Sequence, residues 1–191
     1  MSEIKVEYER LVDPLTDEDM ANYDIQASLI VQELFEYIKD DACRKLISKF
    51  LNKYKYKFLR MVGSSTNHHN YIGGLKDHTM EVVRIAIALA EKHNELYAQG
   101  IVLEKDPINM DVLVTGAFLH DIGKMWSYVD TPPLKRPKGA RPKKPFKRSH
   151  HTKMMNHFGE GLWVLSDLIT PDLELSKKYE REIYHIIATH H

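Results

Sequence analysis

The chain has 191 residues, 43% of them hydrophobic, which suffices for one globular domain with a real core and leaves no second domain of ordinary size. Formal net charge is zero, so the total points to no polyanionic partner, and the single cysteine, Cys43, excludes an internal disulfide and fits a reducing, cytoplasmic compartment. The start has no signal-like character and the longest purely apolar run is the six residues Ile85 to Ala90, so nothing is expected to span a membrane.

Residues 1–15 are polar, include Pro14 and read as a lead-in; residues 16–191 read as the domain. Thr16 followed by Asp17, Glu18 and Asp19 signals a helix start, and Ile25, Leu29, Gln32, Phe35 and Ile38 mark its period. Asp40 or Asp41 restarts the chain into a second helix with Leu46, Ile47, Phe50 and Leu51 inward, and Tyr54 to Met61 reads as a short third one. Gly63 to Gly74 is a loop that carries His68 and His69. The next helix is expected from about Leu75 to His93, with His78, Val82, Ile85 and Leu89 as its apolar stripe, so that His78 faces inward near the helix start.

Asp111 to Lys124, DVLVTGAFLHDIGK, is the stretch around which the chain is organised. Val112, Leu113, Val114, Ala117, Phe118 and Leu119 leave little polar surface, so it reads as a buried helix with Asp111 as N-cap. It ends in His120, Asp121, Ile122, Gly123 and Lys124. An imidazole, a carboxylate and an ammonium at the end of a buried helix cost several kcal/mol of desolvation unless paired, on the order of the figures for buried polar and charged groups. A divalent metal suits His beside Asp, and a helix end in which His120 caps carbonyls and Asp121 pairs with Lys124 is the alternative.

Beyond a short amphipathic piece, Met125 to Val129, lies a basic Pro-rich insert at 131–149 with five of the eight prolines; it cannot be a helix and reads as a surface loop. Residues 131–153 carry nine Lys/Arg and no acid, against twelve Asp/Glu and six Lys/Arg in residues 1–50. Ser149 can cap a helix from His150 to Ile169, with Met154, Phe158, Gly161, Leu165 and Leu168 inward and His157 at the border of that stripe. The last helix, from about Ser176, has Tyr179, Ile183, Ile186, Ile187 and His190 inward, with His185 in solvent.

Four ordered elements carry a resemblance: NHHNYIGGLKDHTMEVVRIA (67–86), GAFLHDIGK (116–124), NHFGEG (156–161) and the closing IIATHH. In that order the chain resembles the HD-domain superfamily of metal-dependent phosphohydrolases, most of all its YhaM-like 3′→5′ exoribonuclease branch. The resemblance covers about residues 16–130 and 150–191. It implies an all-α fold of about seven to nine helices in which His78, His120, Asp121, His157 and His190 converge.

It further implies one or two divalent cations, of Mn, Fe, Co, Ni, Zn or Mg, with His78, His120 and Asp121 on one and His157 with His190 or His191 on a second that Asp121 bridges. Lys124 resembles the lysine that contacts substrate phosphate. His68 and His69 match paired histidines for which substrate contact and loop packing stay equally open, and His150 reads as a surface residue. The branch usually has a further aspartate beyond the paired histidines. Its place here is left to a truncated segment, to water or another carboxylate such as Asp77, or to a degenerate site. Fewer than twenty residues precede the first helix, so no OB domain is expected ahead of it.

The function expected is hydrolysis of a phosphodiester or phosphate ester in a nucleotide or single-stranded nucleic acid. The other reading is a catalytically weak module that binds nucleic acid or a partner and keeps the metal as a structural element. Lys143, Lys144, Lys147 and Arg148 in the basic insert are expected phosphate contacts, with Phe146 as the one aromatic beside them.

Overall fold

Capping side chains decide where the first helices begin. The computed structural model describes residues 11, 13–64, 68–103, 106–130, 146–150 and 156–189. The Thr16 hydroxyl accepts from the Asp19 N–H at 3.1 Å while the Asp19 carboxylate accepts from the Thr16 N–H at 2.8 Å, a reciprocal cap that starts α1, Asp17–Tyr37. Asp40 accepts from the Cys43 N–H at 2.8 Å and starts α2, Asp41–Arg60, which runs unbroken through Tyr54 instead of giving way to a third short helix. The remaining helices are α3, Gly74–Ala98; α4, Met110–Leu119; α5, His157–Leu168; and α6, Lys177–Thr189. With two 3-10 turns, Ile122–Trp126 and Pro171–Leu173, these make six α-helices among the described residues, below the seven to nine expected.

The core is where α2 meets α4. Phe50 and Phe58 of α2 and Phe118 of α4 form a triangle of edge-to-face rings with centroids 5.4 to 5.7 Å apart, all fully buried. On α2 the inward residues are those expected, but on α1 and α3 the buried face is a different one. Ala27, Ile30 and Leu34 are buried on α1, whereas Ile25 and Leu29 are exposed. On α3 the buried set is Leu75, Thr79, Met80, Val83, Ile87 and Ala90, whereas Ile85 and Leu89 point to solvent.

Asp111 is not the cap of α4. Asn109 accepts from the Val112 N–H at 3.1 Å, and the Asp111 carboxylate reaches across the fold to accept from the backbone N–H of Lys39, at 2.5 Å, and of Asp40, at 2.8 Å. The junction between α1 and α2 is thereby tied to the start of α4.

The described end of the basic insert, from Phe146 on, forms a strand. Tyr128–Asp130 (β1) and Phe146–Arg148 (β2) pair antiparallel, with Tyr128 opposite Arg148 and Asp130 opposite Phe146, so the expected loop is in part a short hairpin. The Ser149 hydroxyl donates to the Trp126 carbonyl at 2.7 Å and its N–H to the Ser127 carbonyl at 2.8 Å, and a helix begins beside it at His150. The helix expected from His150 to Ile169 is interrupted. Asn156 is extended and caps a fresh helix that begins at His157, so His157 sits in a first turn rather than mid-helix. Among the described residues no helix is long and apolar enough to cross a membrane.

Candidate metal centre

The geometry begins with α4, whose apolar residues bury it on nearly every side and carry His120 and Asp121 into the interior at its C-terminal end. The chain then tightens into the 3-10 turn Ile122–Trp126, in which the Lys124 N–H donates to the Asp121 carbonyl at 2.9 Å and the Lys124 side chain returns toward the carboxylate. Gly123 is required there by close approach: a Cβ would stand 1.7 Å from the His157 carbonyl oxygen and 2.6 Å from the Gly161 nitrogen. The first turn of α5 thus lies directly on the turn after Asp121, and this contact brings His157 to the carboxylate. Trp126 secures the far end of the turn, with Tyr54 against it at 5.8 Å and the Lys57 ammonium 4.1 Å over its ring. Burial pushes that ammonium's pKa down from its ordinary value, against the raising effect of Glu160.

Asp121 is the hub, 2% exposed. Its Oδ2 lies 3.1 Å from His78 Nε2, 3.2 Å from His120 Nε2 and 2.5 Å from Lys124 Nζ, and its Oδ1 lies 3.6 Å from His157 Nε2. His120 Nδ1 is 2.6 Å from the Ala117 carbonyl. A carbonyl only accepts, so Nδ1 carries the proton of the neutral ring and Nε2 presents its lone pair to the carboxylate.

A ring nitrogen and a carboxylate oxygen at this distance are joined either by a proton on the ring or by a cation bound to both, and the Lys124 ammonium already meets Oδ2. Ligands about 2.0 to 2.2 Å from a tetrahedral ion are roughly 3.3 Å apart, close to the separations found. The backbone carbonyl behind His120 is the usual outer partner of a ligating histidine. His78, His120 and Asp121 therefore fit a divalent cation, with all three donor atoms within 4.8 Å of one another.

A cavity of about 390 Å³ opens over this cluster, lined among others by His68, His69, Lys124, Tyr128, Arg148 and His157. Of the basic-insert residues, Arg148 therefore reaches the site, whereas Lys147 is exposed and Phe146 is buried under the hairpin, where it can stack on no base. Lys143, Lys144, His190 and His191 lie outside the described residues. Asp77 does not join the cluster: its carboxylate accepts from the Tyr71 hydroxyl at 2.8 Å and pairs with Lys76 at 2.6 Å, facing another cavity. His150 and His185 are exposed.

Tyr128 is the pocket residue that the sequence does not announce. Burial pushes its phenol pKa up from the ordinary value, with Arg148 working against this and Asp121 with it, so the group is a neutral hydrogen-bond donor at neutral pH. Its only sequence signal is the three-residue strand Tyr128–Asp130, too short for alternation to be read.

Among proteins of known function, the chain is 34% identical over 107 residues to the dihydroneopterin 2′,3′-cyclic phosphate phosphodiesterase of Methanocaldococcus jannaschii, covering 51% of this chain and 40% of that protein. It is 28% identical over 99 residues to the 3′-5′ exoribonuclease YhaM of Oceanobacillus iheyensis (52% and 27% covered) and 30% identical over 104 residues to that of Listeria innocua (54% and 29%). The chain thus spans two fifths or less of the length of these relatives. No solved structure matches it. The sequence model of the HD domain matches residues 75–191, more than half of the chain and the part that brings His78, His120, Asp121 and His157 together, and the chain belongs to the HD-domain family.

Proposed function

We propose that the protein is a metal-dependent phosphohydrolase that cleaves a phosphodiester or phosphate ester bond in a nucleotide or nucleic acid. The observation that carries this reading is the convergence of two imidazole nitrogens on one buried carboxylate oxygen, 3.1 and 3.2 Å away, at the floor of a cavity with cationic walls. The similarity to a cyclic phosphate phosphodiesterase and to exoribonucleases supports the same bond type.

His78, His120 and Asp121 would hold one cation, and His157 with His190 or His191 would hold a second that shares Asp121. A divalent cation supplies Lewis acidity toward a phosphoryl oxygen and a water nucleophile at neutral pH. The chain's own groups do the rest. Lys124 and Arg148 stand at the cavity wall where phosphate oxygens would lie, the first as a point charge and the second as a planar fork suited to two oxygens. Tyr128 offers a phenolic proton to a third oxygen, and the buried floor at Asp121 and His120 keeps bulk water from screening these charges.

Metal analysis of the purified protein, followed by hydrolysis assays on a generic phosphodiester, single-stranded RNA and DNA, cyclic dinucleotides and nucleoside triphosphates, tests the reading. Metal bound without turnover on any of them would favour the module with a structural metal site. Lys124→Ala is expected to keep its metal content and to lose turnover by about 100-fold, or about 2.7 kcal/mol of barrier. Loss of metal in that variant would place Lys124 in the ligand scaffold instead.

The basic insert bears on whether the substrate is a polymer. Replacing Lys143, Lys144 and Lys147 with Ala is expected to weaken single-strand binding and to flatten its salt dependence by about 0.7 for each phosphate that is no longer neutralised, while hydrolysis of a small phosphodiester stays unchanged. Arg148 belongs in a separate variant, because its place in the cavity lets it touch small and large substrates alike. With Phe146 buried, the basic insert offers no described aromatic for stacking, and little base preference is expected from it. An unchanged salt slope in the triple variant would turn the assignment toward a mononucleotide or a cyclic dinucleotide.

A further inference from the structure

His68, His69 and His78 form a second nitrogen-rich cluster, each offering a ring nitrogen within 4.8 Å of the others. His78 belongs to both clusters. The rings step inward from the surface, with centroids 5.0 Å apart from His68 to His69, 5.4 Å from His69 to His78 and 5.5 Å from His78 to His120. His68 is exposed, His69 and His78 are partly buried and His120 is buried.

The loop that carries the pair is tightly determined. His69 has a left-handed backbone, φ 62°, which side chains other than glycine seldom adopt. The Gly63 N–H donates to the His69 carbonyl at 2.9 Å, and a Cβ on Gly74 would stand 2.1 Å from that same oxygen. The imidazole is nine-tenths buried, with Nε2 3.1 Å from Glu81 Oε2. Nδ1 is buried and has no hydrogen-bond partner among the described residues. An ionised carboxylate only accepts, so Glu81 draws the proton of the neutral ring to Nε2 and leaves Nδ1 with a bare lone pair, the arrangement by which an outer carboxylate orients a ligating histidine. A lone pair held away from water by a strained backbone needs a counterpart.

We propose that His68, His69 and His78 form an outer cation position, separate from the one at Asp121 and sharing His78 with it. Three imidazoles without a carboxylate ligand suit Zn(II), Co(II), Ni(II) or Fe(II) and not Mg(II) or Ca(II). A neutral imidazole ligates one ion at a time, so the two positions compete for His78, and the outer one is held most firmly where the inner one has been weakened. The proposal rests on the reading of the Asp121 cluster as a cation site only through that shared ring.

Metal-stripped wild type, Asp121→Ala, and Asp121→Ala combined either with His68→Ala and His69→Asn or with Glu81→Gln are titrated with Co²⁺, followed by its visible absorption and by equilibrium dialysis. Asparagine at position 69 tolerates the left-handed backbone, so the loop keeps its path while the imidazole is lost, and far-UV circular dichroism checks each fold. Asp121→Ala is expected to retain one equivalent of Co²⁺, whose affinity falls at least tenfold in the triple variant. Glu81→Gln in the same background, which removes no ligand, is expected to weaken it by about tenfold. Residual binding that neither set of substitutions alters, or no residual binding in Asp121→Ala, overturns the outer position while wild-type binding leaves the inner one standing. A wild-type protein that takes up no Co²⁺ overturns both.

Discussion

Asp121→Ala is expected to lower hydrolysis by at least about 1,000-fold, or about 4 kcal/mol of barrier, and to lose the cation position at Asp121 while any ion at the His68, His69 and His78 position stays, with little change in fold. Three imidazoles and one ammonium are oriented by this carboxylate, from α3, the end of α4, the 3-10 turn and the start of α5. Among the described residues the neighbouring carboxylates are engaged elsewhere: Glu81 stands against His69, and Asp77 is held by Tyr71 and Lys76. The fold survives because Lys124, 16% exposed at the cavity wall, can turn its ammonium to water once its partner is gone. Metal analysis with a phosphodiester assay checks both halves. Wild-type activity in Asp121→Ala on every substrate would end the hydrolase reading for this site.

Gly123→Ala is expected to have a large effect on stability, because among the described glycines it brings a new Cβ closest to other backbone. The new Cβ would meet the His157 carbonyl at 1.7 Å and the Gly161 nitrogen at 2.6 Å, both of them backbone, so relief requires moving the start of α5 as a body. Overpacking of this kind costs about 3 kcal/mol, and for a chain of this size about 10 °C in Tm. The same movement carries His157 away from Asp121, so cation affinity falls as well. Gly161→Ala is the control: its Cβ meets the Ile187 methyl at 3.2 Å, a side-chain atom that can yield, and about 1 kcal/mol is expected. Thermal melts of the metal-free variants, with Co²⁺ titration, separate the two; equal losses from both would show that the backbone contact at Gly123 is not what seats α5.

The chemistry of the site is more legible in the sequence than the packing around it. His120 and Asp121 stand out because a buried apolar helix does not end in charge without a reason, and the structure places them where that cost is met by His78, His157 and Lys124. Periodicity alone reaches His78 by a faulty route, and the family motif GGLKDHT is what supports it. The stripe that turns it inward runs through Ile85 and Leu89, both of which are exposed, and it reaches Asp121 from the border of the buried face.

The error has a physical origin: α1 and α3 carry apolar residues on more than one side, so periodicity offers two stripes, and only neighbouring helices choose between them. Asp111 misleads in a similar way. An aspartate at a helix start looks like a cap, but the N–H groups that claim it belong to Lys39 and Asp40, more than seventy residues away in sequence. The hairpin that brings Arg148 and Tyr128 to the cavity is three residues on each strand, below the length at which alternation carries information. Phe146 reads as a free aromatic in a charged loop for the same reason.

The ring triangle of Phe50, Phe58 and Phe118 also settles what melts together. Two of its three members lie on α2, ahead of residue 75, where the match to the family begins, yet the third is two residues from His120. The segment that bears the family's signature is therefore expected to melt together with α2 rather than as a unit by itself. Opening α2 away from α4 would leave Phe118 without either aromatic neighbour and free the end of α4 to fray, taking the His120 and Asp121 backbone with it. Slow hydrogen exchange should thus be shared by the amides of α2 and α4 as one foldon, with the end of α4 that carries His120 and Asp121 inheriting its rigidity from a helix that contributes no residue to the cluster.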